Sequence, residues 1–454
     1  MINKIIKYFY RADIHTKEVL SKSASSLLVR LSGMIANFLL SIIIARSLGA
    51  QGVGVFALND QIISICLIIT MLGINNTLIR EVAIYFDKKN SAGILNIIQT
   101  ALRIIIPFSI VISIFAFIIS SWLSNTLFNS FNLKQLISIS LIAVPFQSIS
   151  RIYASGLNGI RKIWQSNFVT ESSSLILTLA ILGLIRIFKL PLSIINIAIS
   201  FLLSRIIVSM TVYLYWKSSF NFKDSPKFIP KFLLTASIPL LLYTATTKIS
   251  SSIDTIMLGI FTDAQEVGIY NIASRIAILT SLFNTITISA ISPKIALLYD
   301  RNLLGDIQIM IQKITTILIL IGLISLITFI TLGKYILKIW GDEFQSVYPI
   351  LLILTVGQMF NVGTGATGAI LMMTRKEKLI SKITLISLII NIILNLLLIP
   401  TFGAKGAAYA TAITVITYNI VKVILVNKIV GISTLPVKLF NKFSSKNDRD
   451  KNLR

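Results

Sequence analysis

Apolar runs of about twenty residues recur along this chain almost from end to end. A helix needs about 20 such residues to cross a hydrocarbon core of ~30 Å. Laid along the sequence, that template gives twelve spans: 27–47, 53–73, 94–121, 136–156, 168–187, 194–215, 232–258, 267–291, 307–332, 346–373, 380–400 and 406–427. A membrane β-strand would alternate lipid-facing and lumen-facing residues, and runs such as Ile104–Ile119 do not alternate. Composition agrees. Of 454 residues 55% are hydrophobic and 13% charged, whereas soluble domains carry roughly 25% charged residues. So few charges cannot coat a water-facing surface. Disorder, a disulfide scaffold and almost any soluble enzyme are excluded, and the expected fold class is an all-α polytopic membrane protein.

The charges present are strongly unbalanced, with 42 Lys and Arg against 17 Asp and Glu, a formal net charge of +25. Nucleic acid is not the expected partner, because no soluble domain exists to gather the basic residues. In a membrane protein the excess reads first as topology and as adhesion to anionic membrane lipids, then as an anionic substrate. Basic residues concentrate in alternate connections, which predicts both termini in the cytoplasm. The sequence then divides into a cytoplasmic or interfacial segment 1–26, an N-lobe 27–215, a basic inter-lobe loop 216–231, a C-lobe 232–427 and a basic tail 428–454. No loop is long enough for a catalytic domain. One cysteine, Cys66, and one histidine, His15, leave no material for a disulfide or a cysteine or histidine metal site. No cofactor or metal is called for.

The halves echo one another. Ala50-Gln51-Gly52-Val53-Gly54-Val55-Phe56, at the expected outer turn between spans one and two, matches Ala264-Gln265-Glu266-Val267-Gly268-Ile269-Tyr270 between spans seven and eight. A fainter copy, Gly403 to Tyr409, joins spans eleven and twelve. Repeated hairpins in six-span halves fit the internal duplication of transporters. Gly363-x-Gly365-x-x-Gly368 fits a dinucleotide fingerprint by letters alone, but it lies inside span ten rather than between a strand and a helix. Close helix packing or a hinge is the better reading.

Ionisable residues inside spans are the sharpest functional signal, since each costs at least ~2.5–3.5 kcal/mol at a helix centre unless it faces water or a partner. Arg205 is mid-span six, Lys248 and Asp254 lie in span seven, Arg275 in span eight and Asp60 in span two. Arg205, Lys248 and Arg275 are deep enough to expect an aqueous cavity or an acidic partner. Arg30 and Glu171 stand where spans one and five enter the membrane, and snorkelling to the interface accounts for them equally well. Asp60 and Asp254 are the candidates for a coupling cation. Pro239, inside span seven, is the candidate hinge, with a static kink an equal reading. Residues 1–26, with Ile5, Ile6, Phe9 and Tyr10 among Lys4, Lys7 and Arg11, fit an interfacial helix.

Ile44-Ala45-Arg46-Ser47-Leu48-Gly49-Ala50-Gln51-Gly52-Val53-Gly54-Val55-Phe56, followed by Leu72-Gly73-Ile74 and Leu78-Ile79-Arg80-Glu81, resembles the opening of Wzx-type oligosaccharide-lipid flippases. These belong to the multidrug/oligosaccharidyl-lipid/polysaccharide exporter superfamily. Val267 to Arg275 and Ile399-Pro400-x-x-Gly403-Ala404-x-Gly406-Ala407-Ala408 are similar to that family's later hairpins. The resemblance implies a MATE-like V of two six-helix lobes, with spans one, two, seven and eight lining a central cavity. It also implies transport, by alternating access, of a polyprenyl-diphosphate-linked oligosaccharide to the outer leaflet of the bacterial plasma membrane, in O-antigen, lipopolysaccharide or capsule synthesis beside a polysaccharide polymerase. Arg30, Lys248 and Arg275 fall on the implied cavity helices as diphosphate ligands. Arg205, also a candidate ligand, falls outside them.

Three rivals stand beside this reading. A cation-coupled drug exporter of the same superfamily wants acidic cavity residues. A lipid II flippase usually has fourteen spans. A membrane-embedded sugar transferase needs carboxylates for metal or base, and Asp342-Glu343, the adjacent acidic pair in a loop, falls on the expected outer side.

Overall fold

The computed structural model describes residues 14–128, 130–219 and 228–436, and those residues contain no strand. In chain order the helices are α1 (Ile14–Met71), α2 (Ile74–Asp87), α3 (Ser91–Trp122), α4 (Phe131–Gly159), α5 (Ile163–Ile187) and α6 (Ile194–Ser219). There follow α7 (Pro230–Phe261), α8 (Ala264–Asp300), α9 (Leu304–Lys338), α10 (Tyr348–Gly363), α11 (Thr367–Met373) and α12 (Glu377–Leu425). The interfacial helix expected at the N-terminus, the inter-lobe loop and the tail fall largely or partly on residues 1–13, 220–227 and 437–454, outside the described residues.

Among the described residues eight helices are long and apolar enough to cross a bilayer, or nine with the pair Ala264–Ile288 and Ile291–Asp300, which is bent by 44°. Two of the eight, Leu28–Met71 and Glu377–Val430, are 44 and 54 residues long, twice what one crossing needs. Each changes direction at a glycine outside helical geometry, Gly49 (φ 68°, ψ −171°) and Gly403 (φ 56°, ψ −135°). A side chain at these positive φ values would be strained, so glycine lets one helix end and the next begin with no loop residues between. The turns expected at 48–52 and 401–405 are therefore sharp breaks rather than loops, and the Ala50–Phe56 motif is the first part of a helix. With these two breaks and the 32-residue α7, each expected span corresponds to helix in the structure.

Two more differences have local causes. Span ten is not continuous: α10 stops at Gly363 and α11 starts at Thr367, with Gly365 at φ 70° between them. A Cβ on Gly365 would stand 2.2 Å from Thr315 Oγ1, so the glycine-rich motif serves a broken helix and close packing. The connection between spans two and three is the helix α2, whose Ile74, Leu78 and Val82 are fully buried. Pro239 lies inside α7, which is helical throughout its length.

The chain forms two compact units, Met1–Ser252 and Ile253–Arg454, whose boundary falls inside α7. The early part of α7 belongs to the first unit for a packing reason. Leu233 joins the core built by Ile74, Leu78, Ile97, Ile98, Ile152, Leu157 and Trp216. The backbone of Leu241 runs so close to Gly73 that a Cβ there would sit 2.5 Å from its nitrogen, and Ser237 Oγ donates to Thr77 Oγ1 at 2.8 Å. The second unit has its own core of Ile295, Ile307, Ile311, Ile370, Leu371, Ile383 and Val426. Outward faces are apolar as well: α3 exposes Val111, Ile114, Phe115, Phe117 and Ile118. A surface of that kind suits lipid, not water.

In the second unit the echoed motifs meet. Asp263 caps α8 by accepting from Glu266 N at 2.9 Å, and the Glu266 carboxylate accepts from Ala404 N at 2.7 Å. One acidic side chain thus caps the helix restarting after Gly403, at the end where a helix dipole favours negative charge. Glu266→Ala is expected to lower stability by about 1 kcal/mol, as other lost caps do. A thermal unfolding curve matching the parent's would refute this capping role.

Candidate functional site

In the first unit, α1 and α5 carry opposite charges to one place. Arg30 Nε stands 3.3 Å from Glu171 Oε1, with both side chains substantially exposed. Glu171 belongs to a π-helical turn, Phe168–Ser172, inside α5. The same turn bonds α1 through Ser172 Oγ and the Val29 carbonyl at 2.6 Å, and Gly33 permits the contact. Arg30 and Glu171, for which the sequence leaves snorkelling and a site role equally open, are each other's partners.

Arg205, on α6, reaches across to α4, where its Nε donates to Gln147 Oε1 at 3.2 Å. Its guanidinium carbon lies 5.3 Å from the Phe201 ring centre, a cation–π distance. Arg205 and Arg151, the latter on α4, line one small cavity with Gln147. Sequence reasoning missed Arg151, although an arginine inside span four carries the same signal as one inside span six. Asp60 is exposed, and its charge acts on both Arg151 and Arg205. Lys248 is half-buried on α7, and its ammonium has no partner among the described residues.

The second unit holds a more completely built polar centre. Asp254, near the end of α7, accepts from Tyr270 OH at 3.0 Å and Thr411 Oγ1 at 2.8 Å through one oxygen, and from Asn395 Nδ2 at 2.6 Å through the other. Asn395 also donates to Asn391 Oδ1 at 3.1 Å. Tyr270, Asn391 and Asn395 are buried. Three helices, α7, α8 and α12, converge here, with α12 contributing from both sides of its break at Gly403. Buried polar groups need partners, yet Asn395 Oδ1 is buried with none among the described residues. Asn391 and Asn395 are spaced i, i+4 on one helix face, a polar pair in an apolar span that carries no charge to mark it. Arg275, on α8, donates from Nε to Asn271 Oδ1 at 2.7 Å. Lys422, also missed, is a buried lysine whose ammonium lies 4.1 Å over the Tyr418 ring.

Broken apolar helices in two units, each with ionisable groups inside its spans, are what a membrane transporter requires. Residues 19–298, more than half of the chain, match the family model described as polysaccharide biosynthesis protein. The chain belongs to that family. Residues 239–397 also match the MatE model. Over 165 residues it is 30% identical to "Probable low-salt glycan biosynthesis flippase Agl15" of Haloferax volcanii, covering 36% of this chain and 35% of the relative. Over 227 residues it is 29% identical to "Capsular polysaccharide biosynthesis protein CapF" of Staphylococcus aureus, covering 48% of this chain and 57% of the relative. The chain thus aligns with little more than half of CapF and about a third of Agl15. Among solved structures, an inward-facing multidrug resistance MATE family transporter of the MOP superfamily superposes with TM-score 0.74 at 15% identity, covering 92% of this chain and 99% of that one. The lipid II flippase MurJ, in an inward closed conformation, gives 0.72 at 17% identity, with coverages of 94% and 90%. The polysaccharide biosynthesis family member therefore has the MATE-like fold and is a multi-span membrane protein.

Proposed function

We propose that this protein is a flippase that moves a polyprenyl-diphosphate-linked oligosaccharide from the inner to the outer leaflet of a bacterial plasma membrane, by alternating access, for surface polysaccharide synthesis. Family membership over residues 19–298 carries the reading, and the names of the glycan flippase and capsule relatives support it. A diphosphate is a dianion or more, and arginine and lysine are its natural ligands. Lys248 and Arg275 are assigned that role, with Arg30 at the membrane face. An ammonium with no described partner inside a membrane helix is a costly feature that fold stability alone does not explain.

Asp254 is assigned the coupling cation. A carboxylate with two hydroxyl oxygens beside it, and close by a buried amide carbonyl without a donor, Asn395 Oδ1, offers oxygen ligands suited to a hard cation. Asp60 is the poorer candidate, because two arginines already draw on its charge.

The reading is tested by deleting the gene and analysing surface glycan and lipid-linked intermediates. Surface polysaccharide is expected to fall while diphosphate-linked repeat units accumulate on the cytoplasmic leaflet, and the wild-type gene restores both. Normal glycan with no accumulated intermediate would overturn the assignment.

A further inference from the structure

Arg151 and Arg205 face a cavity of about 20 Å³ inside the first unit, between α4, α5 and α6. Its polar lining is completed by Gln147, Ser150, Thr170 and Ser174, and Thr170 belongs to the π-helical turn of α5. Such single-turn π-bulges gather at functional sites. The two guanidiniums act on each other electrostatically. Among the described residues neither has a carboxylate within ion-pairing distance. Arg205 has Gln147 as its good hydrogen-bond acceptor, with a longer contact of 3.4 Å to the Phe201 carbonyl. The Arg151 guanidinium makes no hydrogen bond to a described residue.

This arrangement is short of negative charge. Two guanidiniums stand against Asp60, which reaches them only through space. Both arginines are half-buried, and cations drawn part-way out of water gain from a counter-ion held beside them, so the pair has room for one more negative charge. Size then selects the anion. A cavity must offer roughly 10–15 Å³ to admit a water, so this one takes a single water-sized or halide-sized particle. A phosphate group, with four oxygens around its phosphorus, does not fit. Water would fit but brings no charge.

We propose that Arg151 and Arg205, with Gln147, Thr170 and Ser174 around them, form a binding site for one small inorganic anion of the chloride class. The anion neutralises the arginine pair and ties α4, α5 and α6 together from within the membrane. This also gives Arg205 a role that does not depend on its facing the transported substrate.

The test uses the purified full-length chain in lipid nanodiscs, with thermal unfolding followed at constant sodium and ionic strength. Sodium chloride and sodium bromide are each exchanged against sodium gluconate, whose anion is too large for the cavity. A ligand that binds the folded state raises Tm until its site fills, and the expected rise is about 2–4 °C with both halides. Arg205→Gln and Arg151→Gln are expected to abolish the rise. Ser174→Ala, which leaves both cations in place and removes a hydroxyl that lines the cavity, should shift half-saturation several-fold to higher chloride, and it keeps the test decisive if an arginine variant does not fold. Coincident chloride and gluconate curves for the parent would overturn the proposal. So would a rise that persists undiminished in both arginine variants. Stabilisation by inorganic pyrophosphate but not chloride, lost in Arg205→Gln, would also overturn it and assign the pair to a substrate headgroup. Because the assay reads stability and not transport, its outcome is independent of the flippase reading.

Discussion

Asp254→Asn is expected to reduce glycan export by about 100-fold while the protein still reaches the membrane. In the parent the carboxylate offers two acceptor oxygens to Tyr270, Thr411 and Asn395. Asparagine keeps one acceptor and turns the other into a donor, so a hydroxyl must accept where it donated or the Asn395 amide must turn its unpaired Oδ1 inward, and the negative charge these donors surround is lost. Hydrogen bonds to charged groups contribute about 1.5–3 kcal/mol, and about 2.7 kcal/mol corresponds to 100-fold in an equilibrium. Some loss of stability is therefore expected from structure alone, and export must be normalised to folded protein. The coupling role makes a separate claim: the residual transport should no longer respond to the cation gradient, because the negative charge is gone. Asp254→Glu keeps the charge on a longer arm and should retain that response at reduced rate. Export that falls only in proportion to folded protein, with gradient dependence intact in Asp254→Asn, would make Asp254 a structural residue.

The contrast between Asp254 and its neighbours shows how far the sequence could be read. Helix positions were legible because an apolar run of about twenty residues has few other solutions in lipid. The redirections at Gly49 and Gly403 are visible in sequence as turns, but that each is a break with no loop residues is not, since sequence shows a glycine without showing its φ. The break at Gly365 was visible as a glycine cluster, yet only the approach of Thr315 explains it. Charged site residues were found one by one because a charge in a membrane span stands out against any background. Their partners were not, because partnership is three-dimensional: Arg30 finds Glu171 on another helix, and Asp254 draws on Tyr270, Asn395 and Thr411, which are 16, 141 and 157 residues away. Uncharged Asn391 and Asn395 carry weak signals alone and a strong one together. Arg151 is a different case. Its signal was as plain as that of Arg205, and only the shared cavity shows why the two belong together.

Lys248 is expected to separate function from stability, because its charge costs the fold energy that no described contact repays. Replacing it with methionine keeps a similar length and removes the ammonium. A lysine at a helix centre costs roughly 2.5–3.5 kcal/mol in the membrane, and less where water reaches it. Lys248→Met is therefore expected to leave stability unchanged or raise it, while glycan export falls by about tenfold or more, the loss of about 1.4 kcal/mol of phosphate attraction. Arg275→Gln should behave differently. It loses the Asn271 contact at 2.7 Å, so stability falls along with export, and Arg275→Lys should be milder because charge survives while bidentate geometry does not. Arg30→Gln should have the smallest effect of the three, since the Arg30–Glu171 pair is substantially exposed and such pairs contribute about 0–1 kcal/mol. A structural lysine would give the reverse pattern, with Lys248→Met lowering Tm and export together. If Lys248→Met exports as well as the parent at equal abundance, the diphosphate is held elsewhere. A rise in Tm with a fall in export would mean that the charge is kept for the substrate and not for the fold.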